Sequence, residues 1–290
     1  MLDYLFRLLY CVFITLLALP FVSILMLFFT SILVIIFKQY GFYFDCVEKS
    51  VRKARKIIAL MFEFQGRWLH RYEIHNEERL PLKGPAIIVY YHGSLPLDVF
   101  YLTARYVLRY KRILTIIMDR FFLKIPIMHH GYRAFHCVTA NRAECIDMLR
   151  DGQILCVAPG GSREAFFSNY ETMWNGRNGF AKIAMESKAT IIPIFTCNIR
   201  ETICNARIPF LSRLVYDRLK MILIFFYGHF PVKLTTYVGE PIYYDENRSV
   251  EQLAQQTKDA VEMLIKQHQQ KPSIIRGIKE RFISKDIKLN

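Results

Sequence analysis

The sequence predicts an α/β fold, a mainly parallel sheet flanked by helices, behind an N-terminal membrane anchor. Three observations predict it: a long uncharged apolar run near the N-terminus, short β-branched runs that alternate with helical stretches, and polar motifs that follow two of those runs. The 290 residues are 53% hydrophobic, with a mean hydropathy of +0.17. This much apolar material excludes a disordered chain and favours a folded domain attached to a membrane.

The first segment, residues 1–42, is predicted to be a hydrophobic membrane anchor. Residues 8–37 carry no charge, and as a straight helix they would measure about 45 Å against a hydrocarbon core of about 30 Å. Pro20 divides the run, so the anchor is either one tilted or kinked span or a hairpin, which the proline and the excess length favour slightly. A signal peptide is excluded, because its apolar region is shorter and ends at a small-residue cleavage site.

The charge of the chain favours an anionic partner. Lys and Arg number 39 and Asp and Glu number 25, a net charge of +14. Residues 43–71 carry a basic cluster directly after the anchor, which predicts a membrane-proximal helix on the lipid surface. Residues 271–290 have the pattern of a basic amphipathic tail on a bilayer, and a helix packed on the domain with a solvated basic face explains it equally well. The lipid bilayer is therefore the expected partner, no nucleic acid is expected, and protein partners stay open.

The cysteines and histidines give no sign of a metal or a disulfide framework. The seven cysteines are odd in number and no pair has C-x-x-C spacing, which favours a reducing compartment. His129, His130 and His136 cluster without a recognisable metal-ligand pattern. No metal site is therefore expected.

The remaining chain, residues 72–270, is predicted to be one α/β domain. Its predicted strands lie at 86–91, 113–118, 154–158, 190–195, 233–238 and 242–244. Its predicted helices lie at 142–150, 179–187 and 249–270. Strands spaced by helices in this way are typical of a parallel sheet.

The strand at 86–91 ends at His92, where reactive groups of open α/β sheets gather. His92 could act as a general base, and Asp98 could hold its imidazole in the correct tautomer and stabilise the imidazolium. Gly93 would leave room for the close approach of a substrate. Taken alone, the pair is better explained by Asp98 as a residue that begins a helix.

A second motif follows the strand at 154–158, and it comprises Pro159, Gly160, Gly161, Arg163 and Glu164. The glycines can present backbone N–H groups to an oxyanion or a phosphate, and the arginine supplies a permanent charge. The glutamate could orient the arginine or His92, and an ordinary Pro-Gly turn is the alternative. The chain has no G-x-S-x-G elbow, P-loop or G-x-G-x-x-G after a strand, so hydrolase and nucleotide-binding classes are unsupported.

In this order behind an apolar anchor, His92 with Asp98, the block from Pro159 to Glu164 and the strand around Pro193 resemble the glycerolipid acyltransferase superfamily. The Pro-Gly-Gly…Glu-Ala and Gly-Phe elements are similar to the non-MBOAT diacylglycerol acyltransferases. The chain departs from the superfamily in two motifs: His-x4-Asp is His-x5-Asp, and Gly160 stands at the acidic position of the Glu-Gly pair, with Glu164 following. The middle block is blurred, with Gly131, Arg133 and Arg142 as candidates.

The resemblance implies that residues 72–270 are an acyltransferase domain. It implies O-acyl transfer from acyl-CoA, as co-substrate, onto mono- or diacylglycerol, with His92 as base, Arg142 among the substrate-binding residues and no cofactor. It also implies an endoplasmic reticulum membrane, with the domain facing the cytosol. Two alternatives stay open: a lysophospholipid or lysophosphatidate acyltransferase, in which Arg133 or Arg142 binds an acceptor phosphate, and a non-catalytic membrane lipid-binding protein.

Overall fold

The computed structural model describes residues 2–43, 47–206 and 225–282. The strands within these ranges are β1 (Glu73–His75), β2 (Ala86–Tyr90), β3 (Thr115–Ile117), β4 (Cys137–Val138), β5 (Ile154–Val157), β6 (Thr190–Cys197), β7 (Ile203–Ala206), β8 (Phe225–Gly228) and β9 (Thr235–Val238). The first helices are α1 (Leu2–Tyr43), α2 (Val47–His70), α3 (Leu97–Arg105), α4 (Arg120–Leu123), α5 (Met128–Ala134) and α6 (Arg142–Arg150). The later helices are α7 (Gly161–Phe167), α8 (Gly179–Ser187), α9 (Ile199–Thr202), α10 (Val250–His268) and α11 (Ile274–Phe282).

Seven of these strands form one sheet in the order β1-β9-β6-β2-β5-β3-β4. Neighbouring strands are parallel, except that β9 runs antiparallel to β6. β7 and β8 form a separate antiparallel ribbon. Because β5, β2 and β6 are parallel neighbours, the segments that follow them (158–164, 92–98 and 198–201) emerge at one edge of the sheet. The predicted α/β class with a mainly parallel sheet is confirmed.

The centre of the sheet is built from continuous apolar runs that are covered on both faces. All five residues of β2 are buried, and so are seven of the eight residues of β6. Pro193 lies in β6 although proline cannot donate to a ladder. Its carbonyl accepts from Gly239 N–H at 2.8 Å, and a Cβ on Gly239 would lie 2.9 Å from the Pro193 ring. The glycine thus makes room for the proline on the β9 side, beyond the last β6–β9 pair at Ile194.

Several predicted elements are found and one is wrong. The helices at Arg142–Arg150 and Gly179–Ser187 have the predicted bounds. The predicted strand at 242–244 is reduced to a single antiparallel bridge between Ile242 and Ile191. β9 ends at Val238, and of residues 242–244 only Ile242 pairs with β6.

The N-terminal segment forms one helix, α1, in place of the two arms of a hairpin that Pro20 allowed. Its segment 24–42 is long and apolar enough to cross a membrane. The second half of α1 packs on the domain, where Thr30, Ser31 and Val34 are buried. Gly131 N–H of α5 donates to Ser31 Oγ at 3.2 Å, and a Cβ on Gly131 would lie 2.4 Å from that oxygen. The glycine therefore permits close contact between α1 and α5.

Hydrogen bonds join the C-terminal ends of α2 and α11. Arg71 donates to the carbonyl of Arg281 at 2.8 Å, and Arg281 donates to the carbonyl of Trp68. Gly277 of α11 is buried, and its carbonyl accepts from Lys233 N–H at 2.9 Å. The described part of the predicted basic tail therefore packs on the domain, and residues 283–290 lie outside the described residues.

Candidate active site

His92 stands directly beyond the end of β2 and is half-buried. Its ring Nδ1 lies 2.6 Å from the carbonyl oxygen of Gly93, so Nδ1 carries the proton and Nε2 keeps a lone pair. Burial and the charge of Arg200 lower the pKa of His92, against the opposing effect of the bond to Gly93. The imidazole is therefore neutral at physiological pH, the form in which it accepts a proton.

Glu164 holds the backbone of His92. Its carboxylate is buried in α7, with Oε1 accepting from His92 N–H at 2.8 Å and Oε2 from Met173 N–H at 3.0 Å. Burial raises the pKa of Glu164 to about 7, although these hydrogen bonds and the charge of Arg200 act in the opposite direction. The sequence analysis allowed Glu164 to orient His92, and the structure provides the contact through the backbone N–H.

Gly160 leaves the space that the Glu164 carboxyl group fills. A Cβ built on Gly160 would lie 2.4 Å from Glu164 Cδ and 2.5 Å from Oε2. The carboxyl group of Glu164, one turn of helix further along the chain, thus occupies the space into which a side chain at position 160 would extend. With Glu164 in this place, position 160 has no room for a side chain.

In the described part of the chain, Asp98 makes no hydrogen bond to His92. This corrects the expectation that Asp98 holds the imidazole in its tautomer. It is buried in the first turn of α3, where its carboxyl group interacts with the Thr196 side chain and the Val99 N–H. Its Oδ1 has no hydrogen-bond partner in the described ranges, and burial raises the pKa of Asp98 to about 6. The physical reason is that the turn before α3 directs this side chain toward β6, while the Gly93 carbonyl fixes the imidazole tautomer.

The other glycines differ from their expected roles. A Cβ on Gly93 would lie 2.5 Å from Ile199 Cγ1, so its open side is filled by α9 rather than left for a substrate. Gly161 N–H donates to the Ala158 carbonyl at 3.1 Å, and Gly161 itself adopts the left-handed backbone conformation (φ 53°) that completes this turn. The Gly161 amide is thus used within the turn and is not the oxyanion donor that the sequence predicted.

Pro159 and Gly160 are both buried, and their carbonyls accept from Arg177 Nη1 at 3.2 and 3.1 Å. Pro159 therefore shapes the turn and does not present a surface to a substrate. Arg177 is a residue that sequence analysis missed.

The two predicted arginines have different surroundings. Arg163 is exposed on α7 and makes no hydrogen bond or ion pair with the described part of the chain. Arg142, at the start of α6, forms an ion pair with Glu186 of α8. The structure therefore leaves Arg163 available beside the site and does not bring Arg142 together with His92 or Glu164.

A buried network behind the site includes Arg200, which sequence analysis did not single out. Arg200 is 8% exposed, and its guanidinium donates to Tyr91 Oη at 3.1 Å and to the carbonyls of Glu164 and Ala165 at 3.2 and 3.1 Å. Tyr170 N–H also donates to Tyr91 Oη at 2.9 Å. The network joins the ends of β2 and β6 to α7, so it fixes the segments that carry His92 and Glu164. The available signal was a charged pair, Arg200 and Glu201, soon after a buried strand.

The geometry brings a neutral imidazole, a buried carboxylate that positions it and an exposed arginine to one edge of the sheet. Such a site can remove a proton from a hydroxyl group without forming a covalent enzyme intermediate. Comparison with known proteins gives the class of enzyme. A family model described as Acyltransferase matches residues 71–196, which include His92, Asp98 and Glu164.

Curated relatives extend the similarity over most of the chain. A protein of Bos taurus is 39% identical over 80% of this chain and 70% of its own length, and one of Homo sapiens is 39% identical over 79% and 72%. Both are named "DGAT1/2-independent enzyme synthesizing storage lipids". The crystal structure of the 1-acyl-sn-glycerophosphate (LPA) acyltransferase PlsC from Thermotoga maritima has the same fold, with a TM-score of 0.55 at 18% identity over 83% of this chain and 96% of that one.

The protein is thus an acyltransferase, and it belongs to the glycerolipid acyltransferase superfamily. Within the superfamily, the bovine and human relatives belong to the transmembrane protein 68 family.

Proposed function

We propose that the protein is a membrane-bound O-acyltransferase that moves a fatty acyl group from acyl-CoA onto mono- or diacylglycerol. The observation that carries the proposal is the state of His92: Nδ1–H is held by the Gly93 carbonyl, and the lowered pKa keeps Nε2 unprotonated. The names of the bovine and human relatives, which refer to storage lipids, support a neutral acceptor.

The proposed reaction is a direct transfer. Nε2 of His92 takes the proton of the acceptor hydroxyl as its oxygen attacks the thioester carbonyl carbon. The tetrahedral intermediate then loses the C–S bond, and the CoA thiolate takes the proton from the imidazolium. General base catalysis of this kind contributes about 10²–10⁴-fold. Asp98, buried in the first turn of α3, would stabilise the imidazolium by its charge, without a hydrogen bond to the ring.

Other groups fit the remaining parts of the reaction. Gly160 N–H would donate to the oxyanion of the tetrahedral intermediate, and one such donor is worth about 10²–10³ in rate. The exposed guanidinium of Arg163 would contact the donor phosphates. The proposed location is the endoplasmic reticulum membrane with the domain in the cytosol, supported by the apolar helix α1 and the basic residues that follow it.

The test is lipid synthesis in cells that lack their own triacylglycerol synthases. They would express the wild type, His92→Ala or the control His129→Ala, a histidine of α5, at matched abundance. We expect di- and triacylglycerol with the wild type and the control and little with His92→Ala. A change in phospholipids alone would support the lysophospholipid alternative, and equal lipids in all three would support the non-catalytic one.

A further inference from the structure

At the edge of the sheet that carries His92 the structure has an open cleft of about 350 Å³ that the steps above do not use. Ser94, two residues beyond His92, lies on its wall, and so do Arg200 and Glu201 from the segment after β6. The cleft therefore opens at the edge of the sheet that carries the site. The polar and apolar side chains that line the cleft include Ser94, Asn169, Arg200, Glu201, Tyr227 and Ile274.

The charges of the cleft do not suit a phosphate group. Its one lining cation within the described residues is Arg200, whose guanidinium already donates to Tyr91 Oη and to two backbone carbonyls. Glu201 adds a carboxylate to the same wall, 4% exposed, with Oε2 accepting from Tyr170 Oη at 2.5 Å. A second guanidinium, that of Arg276 in α11, also acts on Glu201, but it is paired with Glu280 at 3.2 Å. Among the described residues, a phosphate would therefore meet the Glu201 carboxylate while both nearby guanidinium groups are engaged, whereas a hydroxyl group can donate to it.

The polar and apolar parts of the cleft match the two parts of a neutral glycerolipid. Ser94 and Asn169 supply uncharged hydrogen-bonding groups, while Tyr227 and Ile274 supply apolar surface. Tyr227 belongs to β8, and β8 contacts the apolar helix α1. The apolar wall thus lies next to the strand that meets the membrane helix, from which acyl chains would arrive.

We propose that this cleft binds the glycerol group of a neutral acceptor and that Glu201 accepts a hydrogen bond from the hydroxyl that does not react. The inference rests on the proposed function and names the acceptor within it. Monoacylglycerol keeps a second free hydroxyl for Glu201 when the first meets His92, whereas diacylglycerol has only the reacting one. Glu201 therefore favours monoacylglycerol and disfavours acceptors that carry a phosphate.

The experiment uses the purified full chain in phosphatidylcholine vesicles with acyl-CoA and, separately, monoacylglycerol, diacylglycerol and lysophosphatidate. For Glu201→Gln we expect the KM for monoacylglycerol to rise about tenfold, as for loss of a hydrogen bond to a charged group. The KM for acyl-CoA should stay unchanged, the KM for diacylglycerol should change less, and the rate on lysophosphatidate relative to monoacylglycerol should rise. Glu171→Gln, an exposed glutamate of the neighbouring loop, is the matched control.

A second variant avoids the buried network. Asn169 is exposed and makes no hydrogen bond with the described part of the chain, so Asn169→Leu should fold and fill the cleft, raising the KM for both neutral acceptors. Equal losses on every acceptor and on acyl-CoA, or wild-type acceptor KM values in both variants, would overturn the assignment of the cleft. If the wild type itself transfers no acyl group to neutral acceptors, it is instead the proposed function that fails.

Discussion

A methyl group at Gly160 would collide with the carboxyl group that holds the backbone of His92. In Gly160→Ala the new Cβ would lie 2.4 Å from Glu164 Cδ and 2.5 Å from Oε2, more than 1 Å inside ordinary contact, which is about 3.5–4.0 Å. Because the new Cβ would also lie 2.5 Å from Glu164 Cβ, the whole side chain of Glu164 must move, and its carboxyl group then loses the N–H donors of His92 and Met173. Each hydrogen bond to a charged group contributes about 1.5–3 kcal/mol. Because the displaced carboxyl group can take up a proton, we use the lower value for each of the two bonds, which gives a loss of about 3 kcal/mol of stability.

Two readouts follow from this displacement. A loss of about 3 kcal/mol should lower the melting temperature by roughly 6–12 °C. Release of the His92 backbone should lower kcat by about 10²-fold, the typical effect of a shift of about 1 Å in a catalytic group. Thermal unfolding in detergent and acyl transfer by the purified protein measure the two quantities.

The matched control is Gly179→Ala, because a Cβ at Gly179 meets no atom within 4 Å. It should keep the wild-type melting temperature and kcat. If Gly160→Ala also keeps both, then Glu164 does not hold His92 in the way described, and the reasoning is refuted.

Three further predictions test the surroundings of the site. In the folded protein the pKa of Glu164 is about 7 rather than its ordinary 4.5. The free energy of unfolding should therefore fall as the pH rises from 4.5 to 7, by about 3 kcal/mol from this group. Denaturant titrations should show that Glu164→Gln removes this part of the fall. Arg200→Lys cannot reproduce three directed hydrogen bonds and should cost about 2–4 kcal/mol of stability, measured by denaturant unfolding; an unchanged midpoint would contradict the network. Arg142→Ala should leave the KM for both monoacylglycerol and lysophosphatidate unchanged because Arg142 pairs with Glu186, whereas a selective tenfold rise for lysophosphatidate would favour the phosphate-binding alternative.

The sequence was sufficient to predict the centre of the fold. β2, β5 and β6 are short apolar runs bounded by turns, and parallel strands buried on both faces have this composition. The start of α6 was predictable because Asn141 and Glu144 form a capping box. By contrast, β4 has two residues and β1 has three, too few to show a period, and their pairing depends on long-range contacts.

The sequence predicted which strand ends carry the site, but it did not predict the contacts between the side chains there. Sequence alone placed His92 and Glu164 after the ends of two predicted strands, and the structure shows that these strands are parallel neighbours. It did not show that the contact uses a backbone N–H, because that depends on the turn geometry after β2 and on the missing side chain at Gly160. The expected contact between Asp98 and the imidazole is missing for the same reason, since one turn decides which way the first residues of α3 point. Buried Arg200 was overlooked because a charged residue after a strand is more often a solvated one.

The central claim is that the side chain of His92 is the base, and His92→Ala tests it most directly. The substitution removes the imidazole but keeps the backbone N–H that donates to Glu164. Among the described residues, the ring itself makes one hydrogen bond, to the carbonyl of the adjacent Gly93, so its loss should not unfold the domain. The measurement is the rate of CoA release coupled to acylation of monoacylglycerol by the purified protein, with His129→Ala as control. The account predicts a rate about 10²–10⁴-fold below wild type, with an unchanged melting temperature. A rate within a few-fold of wild type would contradict it.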